Sequence, residues 1–193
     1  LFYAGWKLDA KENIRKNKKG EALFLKLVTA QFSPNTRKAR DTERTTAFLK
    51  KTWEDLGVQL EIVSYPLDQY TSVVQKRDYD LLLAGQSLGY NLDIYNFWHS
   101  TEATENGLNL SNYKSFPADA MIENIRRTLD EEKKGDYLIR LAEIMSNDVP
   151  AIFLFRDVYY YALDGSVPQL SLKNIAFPSD RFANIADWNK KVP

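Results

Sequence analysis

The chain has 193 residues, 44% of them hydrophobic and 13% aromatic, so it is long enough for a folded domain and too apolar to be disordered. Its 26 basic residues balance its 26 acidic residues, which argues against a nucleic-acid or acidic-lipid partner. The absence of cysteine excludes disulfides, thiol catalysis and thiolate metal sites.

The beginning of the chain shows no targeting pattern. Residues 1–7 contain no charged stretch followed by an apolar run, and no methionine. Nowhere does an apolar run approach the roughly 20 residues that a membrane-spanning helix needs. The sequence therefore favours an excised piece of a longer protein.

The first elements in the chain predict a strand, a helix and a second strand. Residues 7–20 are Lys-rich and predict a loop, whereas the β-branched content of 22–29 predicts a strand. A helix is expected over 41–56, capped at its start by Asp41 or Thr42 and stopped by Gly57. The alternating residues 58–62 predict a strand parallel to the first. The apolar stripe of the helix comprises Phe48, Leu49, Trp53 and Leu56.

A second unit of the same kind follows. A helix over 68–75 leads to a short apolar run at 80–84, which is typical of a strand buried on both faces. Residues 85–117 then form the longest irregular stretch, and loops of that length inside compact domains are usually functional. Two further helices are predicted over 118–129 and 134–147.

The last part of the chain has weaker patterns. Residues 150–155 predict a strand, 158–163 a further strand, and the tail from Gly165 onward has no clear periodicity. The whole pattern predicts a single α/β lobe over 1–193, with a mixed central sheet, βαβ crossovers and flanking helices.

One short motif suggests an enzyme. The segment after the second unit matches G-x-S-x-G, the nucleophile elbow of serine hydrolases, with Ser87 as nucleophile. The single histidine, His99, lies in the same loop region, whereas the hydrolase histidine normally follows several further elements. No oxyanion segment of the HGGG type is present, and neither a metal site nor a phosphate-binding loop is indicated, so no cofactor is predicted.

A binding surface explains the same stretch without catalysis. Gly85 and Gly89 carry no Cβ and allow a ligand to approach the backbone. Ligands of open α/β sheets bind at the carboxyl ends of strands, where this stretch begins. The alternative is that many of its aromatic residues pin a long loop to the core. Its aromatic and neutral polar residues are Gln86, Ser87, Tyr90, Asn91, Tyr95, Trp98, Asn109 and Tyr113.

Short motifs in a fixed order run along nearly the whole chain. They are Ala4-Gly5-Trp6, Phe48-Leu49-Lys50 through Leu56-Gly57-Val58, Arg77-Asp78-Tyr79-Asp80, Gly85-Gln86-Ser87-Leu88-Gly89 with Asp93, Tyr95 and Trp98-His99-Ser100, Gly107-Leu108-Asn109 with Asn112-Tyr113, and Asp148-Val149-Pro150-Ala151-Ile152. Together they resemble the second, C-terminal lobe of family 5 solute-binding proteins, the peptide, dipeptide and nickel binders of ABC importers. The resemblance implies a type II periplasmic-binding-protein lobe that closes on a partner lobe by a hinge.

This resemblance implies a non-enzymatic solute-binding component outside the cytoplasm, in the periplasm or at the cell surface. Its expected partners are a small-molecule or peptide ligand, the N-terminal lobe of the same parent chain and an ABC permease, with no nucleic acid. Residues 165–193 either belong to this lobe or cross back toward the N-terminal one. The ligand contacts it implies are Gly85, Gln86, Ser87, Leu88, Gly89, Tyr90, Asp93, Trp98, Asn109 and Tyr113.

Two departures from the family pattern bear on the ligand. Many relatives carry an Asp-Pro pair in the ligand loop, where residues 91–94 of this chain read Asn-Leu-Asp-Ile. Relatives that bind a peptide's free amine place an acidic residue near the position of Gly89, and Asp93 is the candidate substitute. A peptide, a nickel complex and a sugar-like solute therefore remain open, as does a ligand-free interaction or chaperone-like module. Half a cleft is expected to bind weakly on its own.

Overall fold

The computed structural model describes residues 1–90, 92–156, 158–162, 175–183 and 185. The chain divides into two compact units, Leu1–Gln86 and Ser87–Pro193. A single lobe over 1–193 stays a prediction. Most of the tail that was expected to belong to this lobe or to cross back lies outside the described residues.

The first unit opens with an antiparallel hairpin of β1 (Lys7–Asp9) and β2 (Ile14–Lys16). Asn13 makes its turn at a φ of 55°, and Lys16 closes it with a 3.1 Å ion pair to Asp9. The loop predicted over 7–20 is therefore wrong in part. Strands this short, bounded by charged residues, show no alternation of apolar side chains that sequence patterns detect.

The rest of the first unit is a parallel sheet with two helical crossovers. Its strands are β3 (Phe24–Ala30), β4 (Gln59–Tyr65) and β5 (Leu81–Leu83), in the order β4-β3-β5. Helix α1 (Arg37–Asp55) connects β3 to β4, and α2 (Leu67–Gln75) connects β4 to β5. This arrangement confirms the predicted α/β class and both βαβ units. The buried apolar residues of this unit are Leu27, Val28, Val58 and Leu60.

Helix α1 begins earlier than predicted. Thr36 is its N-cap, and its Oγ1 accepts a hydrogen bond of 3.1 Å from the N–H of Ala39. The predicted start at Asp41 or Thr42 is therefore wrong, because the cap lies upstream of the first apolar residues. The predicted stop at Gly57 is confirmed by its φ of 81°, a left-handed conformation that favours glycine.

The second unit is mainly helical. Its elements are α3 (Tyr95–Trp98), a 3-10 helix (Ser100–Glu102), α4 (Phe116–Arg127), α5 (Glu131–Asp148) and a second 3-10 helix (Pro178–Phe182). The two long helices confirm the predicted pair, each starting two or three residues earlier than expected. The buried residues that form its hydrophobic core are Trp98, Ala118, Ile122, Ile125 and Leu141.

The strand predicted over 150–155 is wrong. Helix α5 ends where Val149 adopts a left-handed φ of 49°, and residues 150–156 pair with no strand of the described chain. Phe153 and Phe155 are 75% and 65% exposed. Apolar, β-branched composition favours a strand only where a partner strand supplies hydrogen bonds and packing. Residues 158–162 are likewise unpaired, and residue 163 of that predicted strand lies outside the described part.

Candidate functional site

The carboxyl ends of the parallel strands form one edge of the sheet in the first unit. Ala30 and Tyr65 are paired last residues of β3 and β4, and the N–H of Gln31 donates to the carbonyl of Tyr65 at 2.7 Å. Strand β5 ends at Leu83, and after Ala84 come Gly85 and Gln86, both of which are exposed. A Cβ added at Gly85 would meet no atom within 4 Å. Gly85 and Gln86 are therefore accessible, and their role as the start of a ligand segment stays a prediction.

The opposite edge of the same sheet carries a shallow depression of about 420 Å³. It lies at the amino ends of β3 and β4, beside Phe24 and Gln59, and its other lining residues include Lys50, Glu54 and Glu61. Ligands of open α/β sheets bind at the other end of the strands, so this depression is not the candidate site.

The predicted ligand segment continues in the second unit with Ser87, Leu88, Gly89 and Tyr90. Ser87 and Tyr90 are exposed, and Leu88 and Gly89 are half-buried. Gly89 has a φ of 63°, so a side chain here would be strained. This left-handed conformation therefore favours glycine at position 89.

Tyr90 contacts a short segment from the C-terminal part of the chain. Its ring lies 5.3 Å from that of Phe177 in an edge-to-face arrangement, and its hydroxyl donates to Oδ1 of Asp180. The hydrogen bond to Asp180 raises the pKa of the Tyr90 hydroxyl, and the same bond lowers the pKa of the Asp180 carboxyl. Both shifts favour the state in which the tyrosine is protonated and the aspartate is ionised.

Asp93 is already paired with a cation. Its Oδ2 lies 3.2 Å from Nη2 of Arg126, and its Oδ1 accepts a 3.1 Å hydrogen bond from the N–H of Tyr95. The guanidinium carbon of Arg126 also lies 4.4 Å from the centroid of the Tyr95 ring. The carboxylate predicted to bind a ligand's amine therefore meets a guanidinium in this structure.

Trp98 lies in the hydrophobic core of the second unit. It is 6% exposed and belongs to the same buried cluster as Ile122 and Leu141. Its ring also meets that of Phe153 edge to face at 5.9 Å. Trp98 thus anchors α3 in this structure, and its predicted role as a ligand contact remains a prediction.

Asn109 holds the loop between the first 3-10 helix and α4. It is fully buried; its Nδ2 donates to the carbonyls of His99 at 3.1 Å and Tyr113 at 2.8 Å, and its Oδ1 accepts from the N–H of Tyr113 at 3.1 Å. Oδ1 also accepts from the hydroxyl of Ser111. Both amide hydrogens and both acceptor positions are therefore used inside the protein.

Tyr113 joins this loop to the end of α5. It is half-buried and its hydroxyl donates to Asp148. Burial is the main cause that raises the pKa of the Tyr113 hydroxyl, and the hydrogen bond to Asp148 raises it further. Trp98, Asn109 and Tyr113 thus fit the alternative that part of the long stretch is pinned to the core.

The hydrolase alternative finds no support in the position of His99. The imidazole is 5% exposed and stacks on the ring of Tyr95 at 4.1 Å. Its Nδ1 bonds with Thr101, and its buried Nε2 has no hydrogen-bond partner among the described residues. Neither nitrogen contacts Ser87, so no described base activates that hydroxyl.

Two other features are absent from the described residues. No cluster of three metal-ligating side chains occurs there. None of the helices in those ranges has both the length and the apolar character needed to span a bilayer.

Sequence reasoning missed three residues that define the geometry around the predicted segment, namely Arg126, Phe177 and Asp180. Arg126 reads as one more charge on the polar face of a helix. Phe177 and Asp180 lie in a tail whose pattern is weak. No local signal marks them, because each acts on a residue far from it in sequence.

No family model matches the chain. Comparison with individual proteins does find similar ones. The dipeptide-binding protein of Escherichia coli (strain K12) is 26% identical over 130 residues, which make up 66% of this chain and 23% of that protein. The oligopeptide-binding protein AppA of Bacillus subtilis, solved with a nonapeptide, matches with a TM-score of 0.66 and 22% identity over 78% of this chain and 29% of its own. The resemblance to family 5 solute-binding proteins is confirmed.

A third similar protein was solved with a different kind of ligand. The oligopeptide-binding protein of Thermotoga maritima, solved with mannohexaose, matches with a TM-score of 0.62 and 16% identity, over 78% of this chain and 28% of that one. At such identities the solved structures show the fold, which is that of periplasmic binding proteins. The chain spans between 23% and 29% of the length of these three relatives.

Proposed function

We propose that this chain contributes one lobe of a solute-binding protein that captures a peptide or similar small solute for an ABC importer. The observation that carries the proposal is the exposed Gly85–Gln86 edge at the carboxyl end of β5. It combines an open backbone with the place where α/β sheets bind ligands. The relatives are binding proteins for peptides and other small solutes, which supports the same class of function here.

The proposed ligand contacts are the exposed and half-buried residues of the glycine-bearing segment. Backbone groups at Gly85 and Gly89, with the side chains of Gln86 and Ser87, supply neutral hydrogen-bond donors and acceptors. Leu88 and Tyr90 add apolar and aromatic surface. This set recognises peptide groups or sugar hydroxyls without needing a charge on the ligand.

The charge on Asp93 bears on the ligand class. Because Arg126 lies 3.2 Å from its carboxylate, Asp93 does not offer an uncompensated negative charge to a free amine. A ligand without an N-terminal charge, either an internal peptide segment or a sugar-like solute, therefore suits the described residues better than a free dipeptide.

The proposed partners follow from the same function. A second, N-terminal lobe would cover the other side of the ligand, and a permease in the membrane would receive it. This implies a place outside the cytoplasm, in the periplasm or at the cell surface. A ligand-free interaction or chaperone-like module is the competing function, and it shares the fold but not the ligand contacts.

Nuclear magnetic resonance titration of the ¹⁵N-labelled chain tests the proposal, since it detects even millimolar binding. A pool of tri- to hexapeptides and, separately, mannohexaose should shift the amide signals of residues 85–90. Gln86→Ala should weaken the shifts, whereas Gln59→Ala, an exposed glutamine at the opposite edge of the sheet, should not. If no probe shifts these signals, the solute-binding proposal fails and the interaction module gains support.

A further inference from the structure

A short piece of this chain lies on the residues proposed to bind the ligand. In the second unit, the ring of Phe177 packs edge to face on Tyr90 at 5.3 Å, and its Cζ lies 3.8 Å from the position of a Cβ on Gly89. The Asp180 carboxylate accepts the hydrogen bond from the Tyr90 hydroxyl. One aromatic ring and one carboxylate thus contact adjacent residues of the proposed segment.

The conformation of this piece is fixed by Asp180 itself. Its Oδ2 accepts hydrogen bonds of 2.8 Å from the N–H groups of Ala176 and Phe177. Pro178 begins the second 3-10 helix, and the N–H of Ala183 closes it on the carbonyl of Asp180. These bonds hold the Phe177 backbone and the Asp180 carboxylate together, and leave Oδ1 to accept the hydrogen bond from Tyr90.

The contact is at the surface. Tyr90 is 61% exposed and Phe177 is 43% exposed, so water reaches both rings. A hydrogen bond and an aromatic pair in such a setting are weak enough for an incoming molecule with the same groups to replace.

We propose that residues 176–180 act as an internal ligand of Gly89 and Tyr90, and that this surface recognises an aromatic side chain close to a carboxylate. The inference rests on the proposed solute-binding function and adds a ligand class to it. The internal segment competes with an external ligand, so solute binding at Tyr90 requires its displacement. Phe177 supplies the ring, and Asp180 accepts the hydroxyl hydrogen that a ligand carboxylate would otherwise accept.

The experiment uses the full chain and the peptide acetyl-Ala-Phe-Pro-Ser-Asp-amide as the probe. The double variant Phe177→Ala, Asp180→Asn should shift the resonances of Gly89 and Tyr90, since it removes the ring current and the hydrogen bond. Ser179→Ala, an exposed neighbour, should leave both resonances in place. Circular dichroism checks that α4 and α5 remain folded in each variant.

Adding the peptide to the double variant should return these resonances toward their original positions. Its apparent affinity should be roughly two- to tenfold higher for the variant than for the unaltered chain, the range that an aromatic pair of this geometry supports. A matched peptide, with Leu in place of Phe and Asn in place of Asp, should restore these resonances poorly.

Three results would overturn the inference. Unchanged Gly89 and Tyr90 resonances in the double variant would show that residues 176–180 do not occupy this surface. Displaced resonances that the peptide fails to restore, or that the matched peptide restores equally well, would show packing without recognition. Failure of the proposed function looks different, because then neither the peptide pool nor mannohexaose shifts residues 85–90, whereas failure of this inference alone leaves those shifts in place.

Discussion

The carboxylate of Asp93 lies 3.2 Å from the guanidinium of Arg126. Asp93 comes from the loop before α3, and Arg126 comes from the last turn of α4, so the pair ties the loop to the helix. The pair also determines the charge that the loop presents to a ligand, because the guanidinium compensates the carboxylate. A positively charged amine that approaches Asp93 must first separate it from Arg126.

Replacing Arg126 should change the preference for free amines. In Arg126→Gln, Asp93 loses its cation and can pair with the amine of trialanine. The side chains are 49% and 36% exposed, so the gain in affinity should be modest, about two- to fivefold over N-acetyl-trialanine. Titration by nuclear magnetic resonance measures the ratio of the two affinities.

Arg127→Gln is the matched control for this prediction. Arg127 stands next to Arg126 on α4 but pairs with Glu123 at 2.9 Å. The Arg127→Gln substitution removes the same net charge but leaves the ion pair of Asp93 with Arg126 intact. Equal effects of the two substitutions would mean that overall charge, and not the Asp93 pair, sets the preference.

Asn109→Ala should destabilise the second unit. The substitution leaves the carbonyls of His99 and Tyr113 and the N–H of Tyr113 without their buried partner. A loss of about 1–3 kcal/mol in the free energy of unfolding is expected. Urea denaturation measures it, with Asn106→Ala as control, because Asn106 is exposed in the same loop. Equal midpoints for the two variants would contradict a structural role for Asn109.

Two glycines should respond to alanine in opposite directions. At Gly107 a Cβ would overlap the carbonyl oxygen of Glu102, so the backbone must move and the chain should lose stability. At Gly135, within α5, no atom lies within 4 Å of an added Cβ. Gly135→Ala should therefore gain about 0.5–1 kcal/mol from helix propensity. Thermal unfolding of both variants tests the contrast, and a loss of stability in Gly135→Ala would contradict it.

The contact between Tyr90 and Asp180 should persist over a wide pH range and weaken at both ends. The lowered pKa of Asp180 means that its contribution is present above about pH 3.9 and is lost as pH falls through its folded value. The raised pKa of Tyr90 means that its contribution is present below about pH 10 and is lost as pH rises through its folded value.

Carbon-13 labelling of the tyrosine Cζ atoms measures this titration directly. The signal absent from Tyr90→Phe identifies Tyr90, which should ionise above the ordinary tyrosine range. Asp180→Asn should bring that titration back toward about pH 10. A Tyr90 titration that does not differ between Asp180→Asn and the unaltered chain would show that the hydrogen bond is not formed in solution.

The sheet of the first unit was predictable because each strand carries its own pattern. Leu60 alternates with polar neighbours in β4 and is 3% exposed. The buried face of α1 was less predictable. Helical spacing predicted that Phe48 would lie on the buried face, but its side chain is 69% exposed. Thr46 is buried instead. The Thr46 hydroxyl bonds to the carbonyls of Thr42 and Glu43, so its burial leaves no unpaired polar group.

The candidate site also has a part that the sequence predicts and a part that it does not. The glycine-bearing segment follows a strand and has local signals, so the sequence predicts it. Trp98 and Asn109 also look like ligand contacts in a polar loop, but residue type does not reveal that the core and the loop backbone surround them. Arg126 and Asp180 are set by tertiary contacts, for which a single sequence gives no signal.

The strand order β4-β3-β5 has a consequence for how the chain folds. Strand β3 is central, yet both of its partners come later in the chain, each beyond an intervening helix. Formation of the sheet therefore requires the closure of two long loops, and such non-local strand pairing is slow. Helices α4 and α5 follow one another directly and pack together, so they need only a short closure. We expect the helical pair to form first and the sheet to set the overall folding rate.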